Sequence, residues 1–158
     1  MRVSQFVTIM LVALLAGLAF AHVLERPAKM QYSGDLYVAL QRTLYVQWGP
    51  PNVGAILELA AIVATGILAY LVRRQRRALW LTLVAAVVLL LAFPVVFFWL
   101  VAPAKAAFRG GIGDPLPANW STMRDRWELG HMLRFGLQLV GVGALVASVV
   151  WRAPERGA

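Results

Sequence analysis

Both histidines of this chain stand three residues from a glutamate: His22 precedes Glu25, and Glu128 precedes His131. Three positions is nearly one helical turn, so each pair presents an imidazole and a carboxylate on one face of a helix. An imidazole can move a proton near neutral pH or bind a metal, and a neighbouring carboxylate can orient it, act as a base or complete a ligand set. A third carboxylate, Glu58, interrupts an otherwise apolar run, and Arg134 and Gln138 extend the His131 face at steps of three and four residues. Because the sequence has no cysteine, disulfides, iron–sulfur clusters, thiolate-ligated metals, covalent c-type haem and a cysteine nucleophile are excluded. Any redox or metal chemistry must rest on His and carboxylate.

The elements that position these groups are membrane helices. Apolar residues make up 61% of the 158 and charged residues 14%, and mean hydropathy is +0.72; soluble domains carry about 45–50% apolar and about 25% charged residues. The length suits one domain. A spanning helix needs about 20 mainly apolar residues, and four stretches qualify, at residues 3–24, 53–72, 78–101 and 129–151. The expected fold is an all-α integral membrane four-helix bundle, with Pro94 kinking the third helix. Arg2, an apolar run and Ala19-Phe20-Ala21 also resemble a signal peptide, but the segment is long enough to span and is read as helix one. The net charge of +8 does not point to nucleic acid, because much of it sits at membrane ends.

Arg73, Arg74, Arg76 and Arg77 crowd the short link between helices two and three, which the positive-inside rule places in the cytoplasm. Both termini follow, in agreement with Arg2, Arg152 and Arg156. Of the seven carboxylates only Glu155 falls on that side; Glu25, Asp35, Glu58, Asp114, Asp125 and Glu128 belong to the outer half. Residues 25–52 and 102–128 form two long outer segments, each a candidate lid. In the first, Ser33-Gly34-Asp35 would cap a short amphipathic helix over 36–47, laying Leu36, Tyr37, Leu40, Leu44 and Trp48 at the interface, with Pro50-Pro51-Asn52 as its stop. The second is a Gly- and Pro-rich turn region ending at Trp120.

The antiparallel path brings His22, Glu25, Glu58, Glu128 and His131 to similar depth. Glu58 lies about 9 Å below the outer end of helix two, where an ionisable group costs about 2.5–3.5 kcal/mol on insertion scales. The five have the right types for a non-haem metal, iron or copper. Haem b between His22 and His131 is an alternative, its propionates needing Arg26, Lys29, Arg124 or Arg126. Structural readings stand beside these: an ion pair between Glu58 and Arg134, hydrogen-bonded structural histidines, and an aromatic run Phe93, Phe97, Phe98, Trp99 that serves packing more often than it walls a pocket.

The segment over 117–134, PANWSTMRDRWELGHMLR, with its core Arg126-Trp127-Glu128-x-Gly130-His131 and Arg134, resembles the signature before the last helix of anthrone oxygenase-like membrane proteins. His22, Glu25 and Pro27, followed by Trp48-Gly49-Pro50, are similar to that family's first outer segment. These are small four-helix proteins, long catalogued as a domain of unknown function. The resemblance implies an oxygenase that oxidises a hydrophobic hydroxyaromatic, anthrone-like or quinol-like, with molecular oxygen. In a metal version His22, Glu25, Glu58, Glu128 and His131 are ligands with Arg126 and Arg134 beside them; in a cofactor-free version His131 or Glu58 takes a proton and an arginine holds the enolate. The competing expectation is a non-catalytic accessory or assembly subunit of a membrane complex, its polar cluster a buried ion-pair network. Transport is a weaker expectation, since the ionisable residues occupy only half of the bilayer depth.

Overall fold

A computed structural model describes residues 1–49 and 52–151. The helix stop expected at Pro50-Pro51 and the terminal charges Arg152, Glu155 and Arg156 lie outside the described residues. The chain is all-helical: α1 (Arg2–Lys29), α2 (Gly34–Thr43), α3 (Val53–Leu71), α4 (Arg76–Leu90), a π-helical segment (Leu91–Val101), α5 (Ala102–Ala107) and α6 (Trp120–Val150). Among the described residues, four helical stretches are long and apolar enough to cross a membrane: α1, α3, the continuous run from α4 through α5, and α6.

The four spans pack as neighbours in sequence order, with the last returning to the first. Helix α1 packs on α3 and α6, and α4 packs on the same two, so α3 and α6 face each other across a diagonal. Small and branched residues fill the centre: Val12, Leu15, Ala61, Leu68, Ala85, Leu89 and Leu145 are buried together. Val3, Phe6, Ile56, Val63 and Val150 point outward, as lipid-facing positions should.

Three spans outrun the lengths expected from the apolar runs, all at the end where the polar residues gather. Helix α1 continues through Pro27 to Lys29. A proline there forfeits one ladder hydrogen bond, the one to the Val23 carbonyl, and the helix ends two residues later. Helix α6 starts at Trp120, more than two turns before the apolar run. On the third span Pro94 does not simply kink an α-helix; it sits in eleven residues of π-helix, Leu91–Val101, whose wider turn accommodates the lost donor. That turn holds positions four apart on one side, so Phe93, Phe97 and Val101 all face the bundle, while Phe98 and Trp99 are 59% and 73% exposed. The aromatic run is thus divided between a cleft wall and the outer surface.

The short helix predicted over 36–47 is α2, Gly34–Thr43, capped by the Ser33 side chain accepting the Leu36 N–H. It is not an interfacial raft. Leu36 and Leu44 are exposed, but Tyr37 and Val38 are buried against Val101, Ala104, Phe108 and Trp127. Helix α2 and the turns after it therefore roof the end of the bundle.

Candidate functional site

Under that roof lies an open cleft bounded by α1, the start of α3, the π-helical segment and α6. Its floor and walls are mainly apolar and aromatic, with Ala19, Phe93, Phe97, Trp48 and Trp127 among them. The polar side chains that reach it include His22, Glu58, His131 and Arg134. The close approach of α6 to the π-helical segment depends on Gly130: a Cβ there would stand 2.6 Å from Val101 Cγ2 and 3.2 Å from Leu100 Cβ.

The two imidazoles stack face to face, with centroids 3.9 Å apart and planes inclined by 26°. Lys29 Nζ lies 3.4 Å from His22 Nδ1. An ammonium has three donors and no acceptor, so Nδ1 accepts and the His22 proton sits on Nε2. His131 differs. It is buried, and neither ring nitrogen has a hydrogen-bond partner among the described residues. A buried polar atom left unpaired costs about 1–3 kcal/mol, and this one ring carries two of them beside the cleft.

Each carboxylate of the set is engaged by a cation. Glu58 accepts from Arg134 Nη2 across the bundle diagonal, the ion pair weighed from the sequence. Glu128 lies 3.0 Å from Lys29 Nζ and accepts from the Tyr37 hydroxyl at 2.9 Å. Glu25 lies 3.6 Å from the same Nζ and accepts from the Tyr45 hydroxyl. Arg134 also stands over the Phe97 ring, 5.5 Å from its centroid, and its Nε is buried without a partner. Outside the spans, burial followed by the Glu128 carboxylate pushes the Tyr37 phenol well above its ordinary range. Burial followed by the hydrogen bond to Glu25 does the same to Tyr45. Both tyrosines are therefore neutral donors that tie the roof to α1 and α6.

The five residues gathered by the topology are close neighbours, but their geometry does not match a ligand set. Lone pairs of imidazole lie in the ring plane, so stacked rings send them along parallel lines instead of toward one ion. The carboxylates are held by Lys29 and Arg134, and among the described residues no three of His, Asp and Glu meet as a metal-holding group. A haem iron between the two histidines needs the macrocycle between their rings, where these rings touch. Arg126 is exposed and does not line the cleft, so α6 presents Arg134 and not Arg126 to it.

Lys29 and Tyr45 are the residues that spacing alone did not single out for the cluster. The signal was present: Lys29 follows Glu25 by four and His22 by seven, on one helical face, once the helix is carried past Pro27. No family model, curated protein or solved structure matches the chain.

Proposed function

We propose that the chain is a membrane-embedded oxidoreductase that takes a proton from a hydrophobic hydroxyaromatic substrate and exposes the resulting anion to molecular oxygen. The observation that carries this reading is His131: a buried imidazole with both nitrogens unpartnered, on an aromatic-walled cleft whose acidic neighbours are all bound to cations. Only a neutral imidazole is left to act as the base. The resemblance to anthrone oxygenase-like proteins supports the substrate class.

His131 accepts the acidic C–H or enol O–H proton of an anthrone-like ring, and its electron pair passes into the ring system. Arg134, tied to Glu58 through Nη2, has Nε left to donate to the enolate oxygen. The aromatic walls hold the flat ring system and keep water from the anion. The carbanion carbon then bonds to dioxygen; loss of the second hydrogen on that carbon with cleavage of the O–O bond gives the quinone carbonyl and water. Anthrone and one dioxygen thus yield anthraquinone and one water, with no other reductant. A bound iron, copper or haem would supply oxygen activation, but no step here is routed through one, because the ligand geometry above does not suit it.

On this reading the arginine-rich link and both termini face the cytoplasm, and the cleft opens toward the outer leaflet, where an apolar substrate accumulates. The test is oxygen uptake by purified protein with anthrone, before and after exhaustive chelation, in wild type and His131→Ala. Uptake that survives chelation and is lost in the variant supports the reading; equal turnover by the variant rejects it. A second reading, a non-catalytic assembly subunit, draws on the ion pairs, which would fix a bundle for docking. It leaves the two bare nitrogens of His131 unexplained, and it predicts co-purification with a membrane partner and no oxygen uptake.

A further inference from the structure

A second cavity of about 130 Å³ adjoins the cleft, and Tyr45, Lys105 and Trp127 line both. Its chemistry is different. Arg42, Lys105 and Arg109 border it, and no carboxylate is among the residues that line it. Arg42 is fixed by three backbone carbonyls, donating from Nε to Phe108 at 3.3 Å, from Nη1 to Asp114 at 2.9 Å and from Nη2 to Pro115 at 3.3 Å. These bonds orient the guanidinium, and the Asp114 carboxylate stands on the far side of Gly110 from it. One further donor on the lining, Trp127 Nε1, is buried without a partner among the described residues, on a side chain more than nine-tenths buried. An unpartnered donor beside several cations, with no carboxylate among the described residues of the lining, calls for an anionic acceptor brought from outside.

We infer that this cavity is an anion-binding vestibule, continuous with the aromatic cleft, that takes a carboxylate or phosphate group. The inference rests on the proposed function only in assigning the aromatic body of the ligand to the cleft. The wall shared through Tyr45, Lys105 and Trp127 lets one molecule place a flat apolar ring system against Phe93 and Phe97 and an acidic substituent beside Arg109 and Lys105. The favoured substrates are then aromatic acids, in which the charged group sets the ring's position beside His131. The same cationic wall could instead hold the phosphate of an anionic lipid, which would then border the cleft.

The test uses the full chain in phosphatidylcholine nanodiscs. Binding of anthracene-2-carboxylate and of its methyl ester is read by energy transfer from tryptophan to anthracene, without turnover. The ratio of acid to ester affinity should fall about tenfold when Arg109→Gln and Lys105→Gln are combined, as the loss of charge-assisted bonds requires. Arg109→Lys should restore much of it. An unchanged ratio overturns the inference. Repeating the titration with phosphatidylglycerol in the disc identifies the source of the anion. If the acid keeps its advantage and inorganic phosphate competes, the vestibule serves a solute; if phosphatidylglycerol abolishes the advantage seen in phosphatidylcholine, a lipid phosphate occupies it. Absence of oxygen uptake alongside a charge-dependent binding ratio would reject the oxygenase reading and leave the vestibule standing.

Discussion

Replacing Lys29 by Met keeps the length of the side chain and removes its charge. Lys29 is 2% exposed and Glu128 equally so, with 3.0 Å between Nζ and Oε1. At an effective dielectric constant of about 20 that separation is worth roughly 5 kcal/mol of attraction. Desolvation offsets much of it in the intact protein, but the variant leaves Glu128 buried with only the Tyr37 hydroxyl, and removing one partner of a buried pair costs about 3–5 kcal/mol. The Glu25 arm adds little, because that carboxylate is 35% exposed and lies 3.6 Å away; such contacts are worth about 0–1 kcal/mol. For a chain of this size about 2–4 °C accompanies each kcal/mol, so Lys29→Met should lower the melting temperature by roughly 6–20 °C in a thermal scan in detergent. Adding Glu128→Gln should recover most of the loss, since the orphaned charge is then gone. If Lys29→Met melts within about 2 °C of wild type, or the second substitution recovers nothing, the cation does not hold the charge centre together.

Four further outcomes follow from the same geometry. His131→Leu removes two unpartnered buried nitrogens, so stability should stay level or rise by about 1–3 kcal/mol while oxygen uptake disappears; a destabilised variant would show that the ring is a bonded structural residue. Glu58→Gln leaves Arg134 charged in the bundle and should cost about 3–5 kcal/mol, read from the same thermal scan, whereas an unchanged transition would count against a diagonal ion pair. For the tyrosines, the folded-state value lies above the unfolded one, near 10, so the stability they confer is complete below that pH and is lost as pH rises beyond it. The melting temperature should therefore be flat from neutrality to about pH 9 and fall above about pH 10, with a shallower fall in Tyr37→Phe combined with Tyr45→Phe. Gly130→Ala must push α6 off Val101 and should cost about 1–3 kcal/mol, an expectation that a wild-type melting curve would refute.

The spans and their order were legible in the sequence because hydropathy over about 20 residues reports directly on the solvent around a helix. The convergence of His22, Glu25, Glu58, Glu128 and His131 was legible for a related reason, since an up-and-down bundle brings the end of the first span beside the starts of the second and fourth. What hydropathy does not report is helix continuing past the apolar run. Lys29 sits beyond Pro27, and both features suggest an end to α1, yet the helix persists because Lys29 buries its charge between Glu25 and Glu128. Tyr37 illustrates the same gap: an amphipathic pattern says that one face is covered, and the partner could have been headgroups or protein. Which of Arg126 and Arg134 enters the cleft depends on the rotation of α6, fixed by contacts such as Gly130 against Val101. The second cavity was invisible, because Arg42, Gln41 and Arg109 come from the two outer segments and no local spacing links them.

The π-helical stretch makes the third span a partition only one helix thick, with rings on both sides: Phe93 and Phe97 toward the chamber, Phe98 and Trp99 toward the hydrocarbon. Deleting one residue here, with the winding kept, would turn the rings that follow by roughly 100°, about one helical step. The count of residues here, more than their identity, governs which aromatic surface a guest molecule meets, and an insertion or deletion would reshape the chamber where a conservative replacement would not.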